Sequence, residues 1–74
     1  MSMASDTQIS IVVNGHPKQV PVGCTVVQLL AEMDLQSPAI AVEINAVICP
    51  GAQHESTSLQ EADQIEIVSL VGGG

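Results

Sequence analysis

Apolar residues alternate with other residues near the start of the sequence, at Ile9, Ile11 and Val13. This spacing is typical of a strand with one buried face. Asn14-Gly15 follows at once, and such a pair accepts positive φ at both central positions of a type I′ hairpin turn. We therefore expect an antiparallel second strand over residues 18–22, with Val20 and Val22 facing the core.

The apolar spacing then changes to steps of three and four residues, at Val26, Leu29, Leu30 and Met33. Thr25 and Gln28 have the spacing of a capping box, in which each side chain satisfies a free backbone N–H at a helix start. The pattern predicts one helix over about residues 25–35. We expect Pro38 to end it, because the residue before a proline is pushed out of the helical region.

Two further apolar runs predict strands. Residues 39–44 are too few for a helix of typical length and indicate an interior strand, with alternate residues on one face. Asn45-Ala46 then predicts a tight turn into a short strand at residues 47–48. The last run begins at residue 64 or 65, after Leu59, a predicted core residue, and a turn at residues 61–63.

One helix in so short a chain can cover one face of one sheet, so we predict an α+β fold with a mixed sheet of four or five strands. Pro17 and Pro21 cannot donate to a ladder, which suits an edge strand or a short strand. The last strand should lie centrally beside the first and parallel to it, with the helix as a right-handed crossover.

The composition favours one aliphatic domain and a protein partner. The chain has 74 residues and no Phe, Tyr or Trp, so its core is built from Val, Ile, Leu, Met and Ala. Its formal charge of −7 argues against nucleic acid and anionic membranes as partners. The acidic surface indicates either a basic protein partner or a simple contribution to solubility.

The cysteines and histidines give weak signals. Cys24 and Cys49 are expected to be buried, reduced thiols, and packing is favoured over a sulfur relay at Cys24 with a lowered pKa. His16 and His54 are too few to indicate a metal site. Because no apolar run is long enough for a membrane span and no secretion signal precedes the domain, we expect a cytoplasmic protein.

The sequence closes with Gly72-Gly73-Gly74, directly after the last apolar run. Glycine has no Cβ, so such a tail could thread a narrow slot in another protein. The chain has no phosphate-binding loop and Lys18 is its one Lys or Arg, so activation of the terminal carboxylate requires a partner. The alternative is an inert, frayed end. We predict a flexible extension (1–7), a folded domain (8–71) and a flexible glycine tail (72–74).

The arrangement resembles the ubiquitin-like β-grasp fold and, within it, the sulfur carriers of bacterial thiamine biosynthesis, the ThiS family. The most specific motifs are Asp63-Gln64-Ile65-Glu66-Ile67-Val68 and Val71-Gly72-Gly73-Gly74. Supporting residues are Asn14-Gly15, Thr25-Val26, Leu29-Leu30, Ala41-Val42, Asn45, Pro50, His54 and Leu59. The chain departs from the family pattern at Ala46, Gly51 and Ala62, which bears on local turns and partner contacts.

The resemblance implies a carrier without catalytic residues, metal or bound cofactor of its own. An E1-like adenylyltransferase, using ATP and magnesium, would adenylate Gly74. A persulfide supplied through a cysteine desulfurase would convert the adenylate to a thiocarboxylate, and thiazole synthase would take the sulfur. Gly72 and Gly73 would enter the partners' active sites with Gly74, while Val68, Leu70 and Val71 would form a partner surface.

Other members of the fold give alternatives. The small subunit of molybdopterin synthase shares the tail, but usually has an aromatic residue and prolines before it, unlike Ser69-Leu70-Val71. A ubiquitin-like protein modifier and an inert binding domain are further alternatives. An iron–sulfur ferredoxin needs four cysteine ligands and is rejected, because two are present.

Overall fold

The computed structural model describes residues 7–37 and 39–69. The elements, in chain order, are strands β1 (Gln8–Val13) and β2 (His16–Pro21), helix α1 (Val26–Glu32), strands β3 (Ile40–Ile44) and β4 (Val47–Cys49), a 3-10 turn (Gly51–Gln53) and strand β5 (Gln64–Ser69). These boundaries confirm one helix and five strands in the predicted order within the described residues. The 3-10 turn lies directly after β4 and Pro50.

The strands form one mixed sheet in the order β2-β1-β5-β3-β4. The central strand, β5, runs parallel to β1 and antiparallel to β3, as predicted. The hairpins β1–β2 and β3–β4 flank it and do not pair with each other. β2 is an edge strand, as the two prolines indicated. Strand β5 therefore joins the two halves of the sheet.

Both hairpins turn through two residues with left-handed backbone. Asn14 and Gly15 have φ values of 50° and 83°, which confirms the predicted turn. Asn45 and Ala46 have φ values of 52° and 70° in the second turn. Asparagine tolerates this region because its short polar side chain can form local hydrogen bonds.

Helix α1 begins as the sequence predicts. The Thr25 hydroxyl accepts the Gln28 backbone N–H at 3.3 Å, and the Gln28 side-chain oxygen accepts the Thr25 N–H at 3.0 Å. Both bonds of the capping box are therefore present. They satisfy two donors that the first helical turn leaves without intrahelical partners.

The predicted end of the helix is wrong. The helix ends at Glu32, before residue 35 and well before Pro38, which lies outside the described residues. Asp34 has a φ of 59° and donates its N–H to the Ala31 carbonyl, while the Leu35 N–H reaches the Leu30 carbonyl at 2.8 Å. This pair of bonds is a Schellman motif, which turns the chain out of the helix without a proline.

The core lies between α1 and one face of the sheet. Its buried hydrophobic residues are Ile11, Val13, Val20, Cys24, Val26, Leu29, Leu30, Val42, Cys49, Leu59 and Ile65. Val22 is not among them, so the prediction that it faces the core is wrong. Strand β2 ends at Pro21, and Val22 lies in a turn with Gly23 and is 59% exposed. Burial of Leu59 is confirmed.

Candidate functional site

The predicted site falls mainly beyond β5. Leu70, Val71 and the glycine tail (residues 72–74) lie outside the described residues. Val68 is described: it lies in β5 and is 52% exposed. The structure thus defines the strand that leads into the tail and the surface around that strand.

Strand β5 is held unequally on its two sides. On the β3 side, pairing continues to Ser69, which lies opposite Ile40. On the β1 side, main-chain pairing stops where the Asn14 N–H donates to the Ile65 carbonyl at 2.8 Å. The backbone of β1 then turns back into β2, away from the second half of β5.

The side chain of Asn14 continues the bonding on that side. Its Oδ1 accepts the Ile67 N–H at 2.8 Å, and its Nδ2 donates to the Ile67 carbonyl at 3.4 Å. A primary amide carries the same donor and acceptor as a peptide group. Asn14 therefore adds one rung to the β1–β5 ladder after its own backbone has left the sheet.

Asn45 holds the beginning of the same strand. Its Oδ1 accepts the Gln64 N–H at 3.0 Å, and its Nδ2 donates to the Asp63 carboxylate at 2.9 Å. That carboxylate also accepts the Gln60 N–H at 2.8 Å and is 9% exposed. Sequence reasoning treated Asn14 and Asn45 as turn formers and missed these bonds. Two asparagines at equivalent positions of two hairpin turns were the available signal.

Within residues 7–37 and 39–69, no helix or strand covers the sheet face opposite α1. We define the outer sheet face by Val12, Ala41, Glu43, Ile48, Glu66 and Val68, which the strand registers place on that side. Val68 lies opposite Ala41, and Ile48, 60% exposed, lies opposite Glu43. The face therefore combines exposed apolar side chains with two carboxylates, close to the point where β5 leads into the tail.

Ala62 and Gly51, two of the departures from the family pattern, differ in their effect on the local backbone. Ala62 has a φ of 72°, so this turn does adopt the conformation that glycine favours, at a cost in strain. Its N–H donates to the Ser10 carbonyl at 2.7 Å, which ties the turn to β1. Gly51 begins the 3-10 turn after β4 and has no close neighbour where a Cβ would stand.

The two cysteines are free and buried. Burial, with a smaller contribution from the Glu32 carboxylate, raises the pKa of the Cys24 thiol above its ordinary value of 9.0, and Lys18 opposes this shift. A raised pKa is opposite to the lowered pKa that the relay alternative requires, and the burial of Cys24 supports packing. The Cys49 carbonyl lies 3.0 Å from Nε2 of His54.

Within the part of the chain that the structure describes, no group of three or more His, Cys, Asp or Glu side chains is arranged to hold a metal ion. No helix in those residues has the length and hydropathy needed to cross a membrane.

The sequence profile of the ThiS family matches residues 11–74, which include the second half of β1, all later elements and the glycine tail. The chain belongs to the ThiS family. The resemblance inferred from the sequence is thereby confirmed.

Three relatives illustrate the range of this ThiS-family similarity. An uncharacterised protein, ycf40, of Porphyra purpurea is 38% identical over 66 residues, covering 89% of this chain and 93% of the relative. The sulfur carrier protein ThiS of Escherichia coli is 32% identical over 66 residues, covering 89% of this chain and 100% of the relative. A thiazole synthase of Paramagnetospirillum magneticum is 33% identical over 66 residues, which are 20% of its length.

A solved structure confirms the fold of this ThiS-family chain. The crystal structure of the thiamine biosynthesis protein ThiS from Geobacter metallireducens matches with a TM-score of 0.77 and 26% identity. The match covers 89% of this chain and 100% of that one. The predicted β-grasp fold, with a five-stranded mixed sheet and one helix on one face, is therefore confirmed.

Proposed function

We propose that this chain is a sulfur carrier of thiamine biosynthesis that receives sulfur at the carboxyl group of Gly74 and delivers it to thiazole synthase. The observation that carries the proposal is the ThiS family match, which runs through Gly74. The similarity to the whole of the E. coli sulfur carrier protein supports it. The same match disfavours the molybdopterin synthase alternative.

The proposed chemistry needs three steps at the carboxyl group of Gly74. An E1-like adenylyltransferase, with ATP and magnesium, converts the Gly74 carboxylate to an acyl adenylate and releases pyrophosphate. A persulfide, supplied through a cysteine desulfurase, attacks the acyl carbon and displaces AMP. A thiol then attacks the inner, cysteine sulfur of the resulting acyl disulfide, which leaves the outer persulfide sulfur on Gly74 as the thiocarboxylate and the cysteine sulfur in a disulfide with that thiol.

The chain's charges support the need for an activating partner. Nucleotide phosphates are bound by cationic side chains and by backbone N–H groups at helix starts. Lys18 is the sole Lys or Arg of the sequence, and its Nζ lies 3.5 Å from a Glu32 carboxylate oxygen. We therefore assign ATP, magnesium and catalysis to the partner, and propose no cofactor for this chain.

The partners follow from the same proposal. Two thiazole synthases, from Paramagnetospirillum magneticum and Magnetococcus marinus, match this chain over 20% of their own lengths. This supports thiazole synthase as the sulfur acceptor. We propose that Gly72 and Gly73 accompany Gly74 into the partners' active sites and that Val68, Leu70 and Val71 contact the partners. Nucleic acid and membrane have no part in this function, which we place in the cytoplasm.

Intact mass spectrometry tests the proposal. The protein is incubated with an E1-like adenylyltransferase of a ThiS system, ATP, magnesium, and a cysteine desulfurase with cysteine and a thiol reductant. We expect a mass gain equal to sulfur replacing one oxygen, located on Gly74 by fragmentation. A chain lacking Gly74 should show no gain, whereas a chain lacking residues 1–6 should react like the wild type.

One control is essential to that measurement. Methionine oxidation changes the mass almost equally, and the chain contains three methionines. The gain must therefore depend on ATP and on the desulfurase. An unmodified Gly74 under conditions that modify the E. coli carrier would overturn the proposal, and isopeptide adducts with lysines would favour a protein modifier instead.

A further inference from the structure

We propose that Asn14 is a positioning residue for the glycine tail: its side chain fixes the second half of β5 and so sets the direction in which the chain enters a partner. This inference rests on the proposed function at Gly74. It concerns a residue in the β1–β2 turn, more than fifty positions from the tail in sequence.

The first support is the alternation of backbone groups along β5. The Gln64 carbonyl accepts from Asn45 on the β3 side, whereas the Ile65 carbonyl accepts from Asn14 on the β1 side. Because successive residues of a strand direct their N–H and C=O groups to opposite neighbours, Ile67 also directs its groups to the β1 side. No backbone of β1 is present there, since β1 has already turned.

The second support is that the Asn14 side chain fills that gap. Its amide bonds both backbone groups of Ile67, with the shorter contact, 2.8 Å, to the N–H. Strand β5 is thereby held between two neighbours at Ile67, two residues before its end. Without the side chain, bilateral support on β5 would end at Ile65.

The distance from Ile67 to the proposed reaction makes this support consequential. Five residues follow Ser69 as far as Gly74, a maximum reach of about 17 Å at 3.3–3.6 Å per residue. Any freedom at the end of β5 would add to the freedom of the glycines and widen the region that the Gly74 carboxyl group can reach. A partner that docks on the folded domain would then have to order the end of β5 as well as the tail, and this ordering would reduce the binding free energy.

Asn45 provides a matched comparison within the same fold. Each asparagine is the first of two left-handed residues in a hairpin turn, and each side chain makes two hydrogen bonds that include a β5 N–H. Asn45 holds the beginning of β5 at Gln64, and Asn14 holds Ile67. Substitutions at the two positions can therefore distinguish a general effect on stability from an effect on the tail.

The test compares Asn14→Gly, Asn14→Asp and Asn45→Gly. Glycine keeps the left-handed backbone and removes the amide, whereas aspartate keeps an acceptor for the Ile67 N–H. The readouts are hydrogen exchange at the Ile67 amide and the kcat and KM of Gly74 adenylation by an E1-like adenylyltransferase, below every variant's unfolding temperature. If the role of Asn14 were purely structural, KM would be unchanged below the unfolding temperatures.

For Asn14→Gly we expect faster exchange at Ile67 and a KM raised about tenfold with kcat unchanged, because fixing one backbone residue costs about that factor in binding. Asn14→Asp should recover most of the Ile67 protection and of the wild-type KM. Asn45→Gly should lose stability and retain the wild-type KM. Equal KM values for Asn14→Gly and the wild type would overturn the role of Asn14, as would an equal rise in both glycine variants. A wild type that is not adenylated would instead overturn the proposed function.

Discussion

Glu43 and Glu66 lie directly opposite each other across the β3–β5 ladder, on the outer sheet face. Directly opposed residues of an antiparallel pair have Cβ atoms about 4.5–5.5 Å apart, and like charges at that separation are destabilising. Val68 follows two residues after Glu66 and is half exposed. A basic side chain from a partner would relieve the repulsion while apolar contacts form around it.

Replacing one of these carboxylates should therefore stabilise the protein and weaken its recognition. For Glu66→Gln we expect an unfolding free energy higher by about 0.2–1 kcal/mol and slower association with the E1-like partner at low salt. Denaturant unfolding and stopped-flow binding measure the two effects. Glu55→Gln is the control, because it removes the same charge from an exposed turn outside the sheet. Equal effects of the two substitutions would refute the importance of the pair.

The apolar part of the outer sheet face is tested at Val68. For Val68→Ser we expect the affinity for the E1-like partner to fall about fivefold, because burial of the remaining valine surface on binding would be lost. Val22→Ser serves as the control, since Val22 is 59% exposed against 52% for Val68 and lies in a turn at the β2 edge. Unfolding midpoints should change little for either. If both variants bind like the wild type, Val68 is outside the interface.

The turn before β5 carries strain that a glycine would remove. Ala62 has a φ of 72°, where a side chain costs about 1–2 kcal/mol. We expect Ala62→Gly to raise the unfolding free energy by about 1 kcal/mol, after allowance for the greater freedom of glycine in the unfolded chain. Ala41→Gly, within β3, should lower it by about 0.5–1 kcal/mol. Destabilisation by Ala62→Gly would show that the strain is relieved elsewhere.

The buried thiol of Cys24 predicts a loss of stability at alkaline pH. Burial raises its pKa above the ordinary value of 9.0, so the unfolded thiol ionises at a lower pH than the folded one. The resulting stabilisation is complete below the unfolded pKa and is lost as the pH rises through the folded pKa. Unfolding free energies are measured from neutral pH upward and should fall more steeply for the wild type than for Cys24→Ala. The variant is the control because it keeps every other titrating group. Parallel profiles would contradict the prediction.

Much of the fold could be predicted because its local signals agree. The Asn14-Gly15 turn, the Thr25 capping box and the alternating apolar residues each specify their element without long-range information. The central position of β5 followed from the need to fix the strand that carries the tail. The structure confirms these predictions.

The errors arose where local signals compete or tertiary contacts decide. Pro38 was a valid stop signal for α1, but the Schellman motif at Asp34 ends the helix earlier, with a residue that sequence patterns do not favour there. Val22 continued the alternation of β2, yet the turn with Gly23 removes it from the sheet. Burial of Cys24, which the sequence favoured over activation beside the helix start, is confirmed.

The site predicted at the glycine tail stays a prediction, and the bonds that support the strand before it were not predicted. The tail glycines are visible in the sequence, and the family match includes them. The bonds from Asn14 to Ile67 join residues 53 positions apart. Only the register of β1 against β5 brings these two residues together.

The position of β5 at the middle of the sheet also affects how the protein is made. During synthesis the two hairpins leave the ribosome first, and neither alone has enough paired strands to be stable in water. They acquire a common neighbour only when residues 64–69 emerge. A prematurely terminated chain would lack this common neighbour and stay open to proteases, so the molecules that survive already contain the strand that leads into the glycine tail.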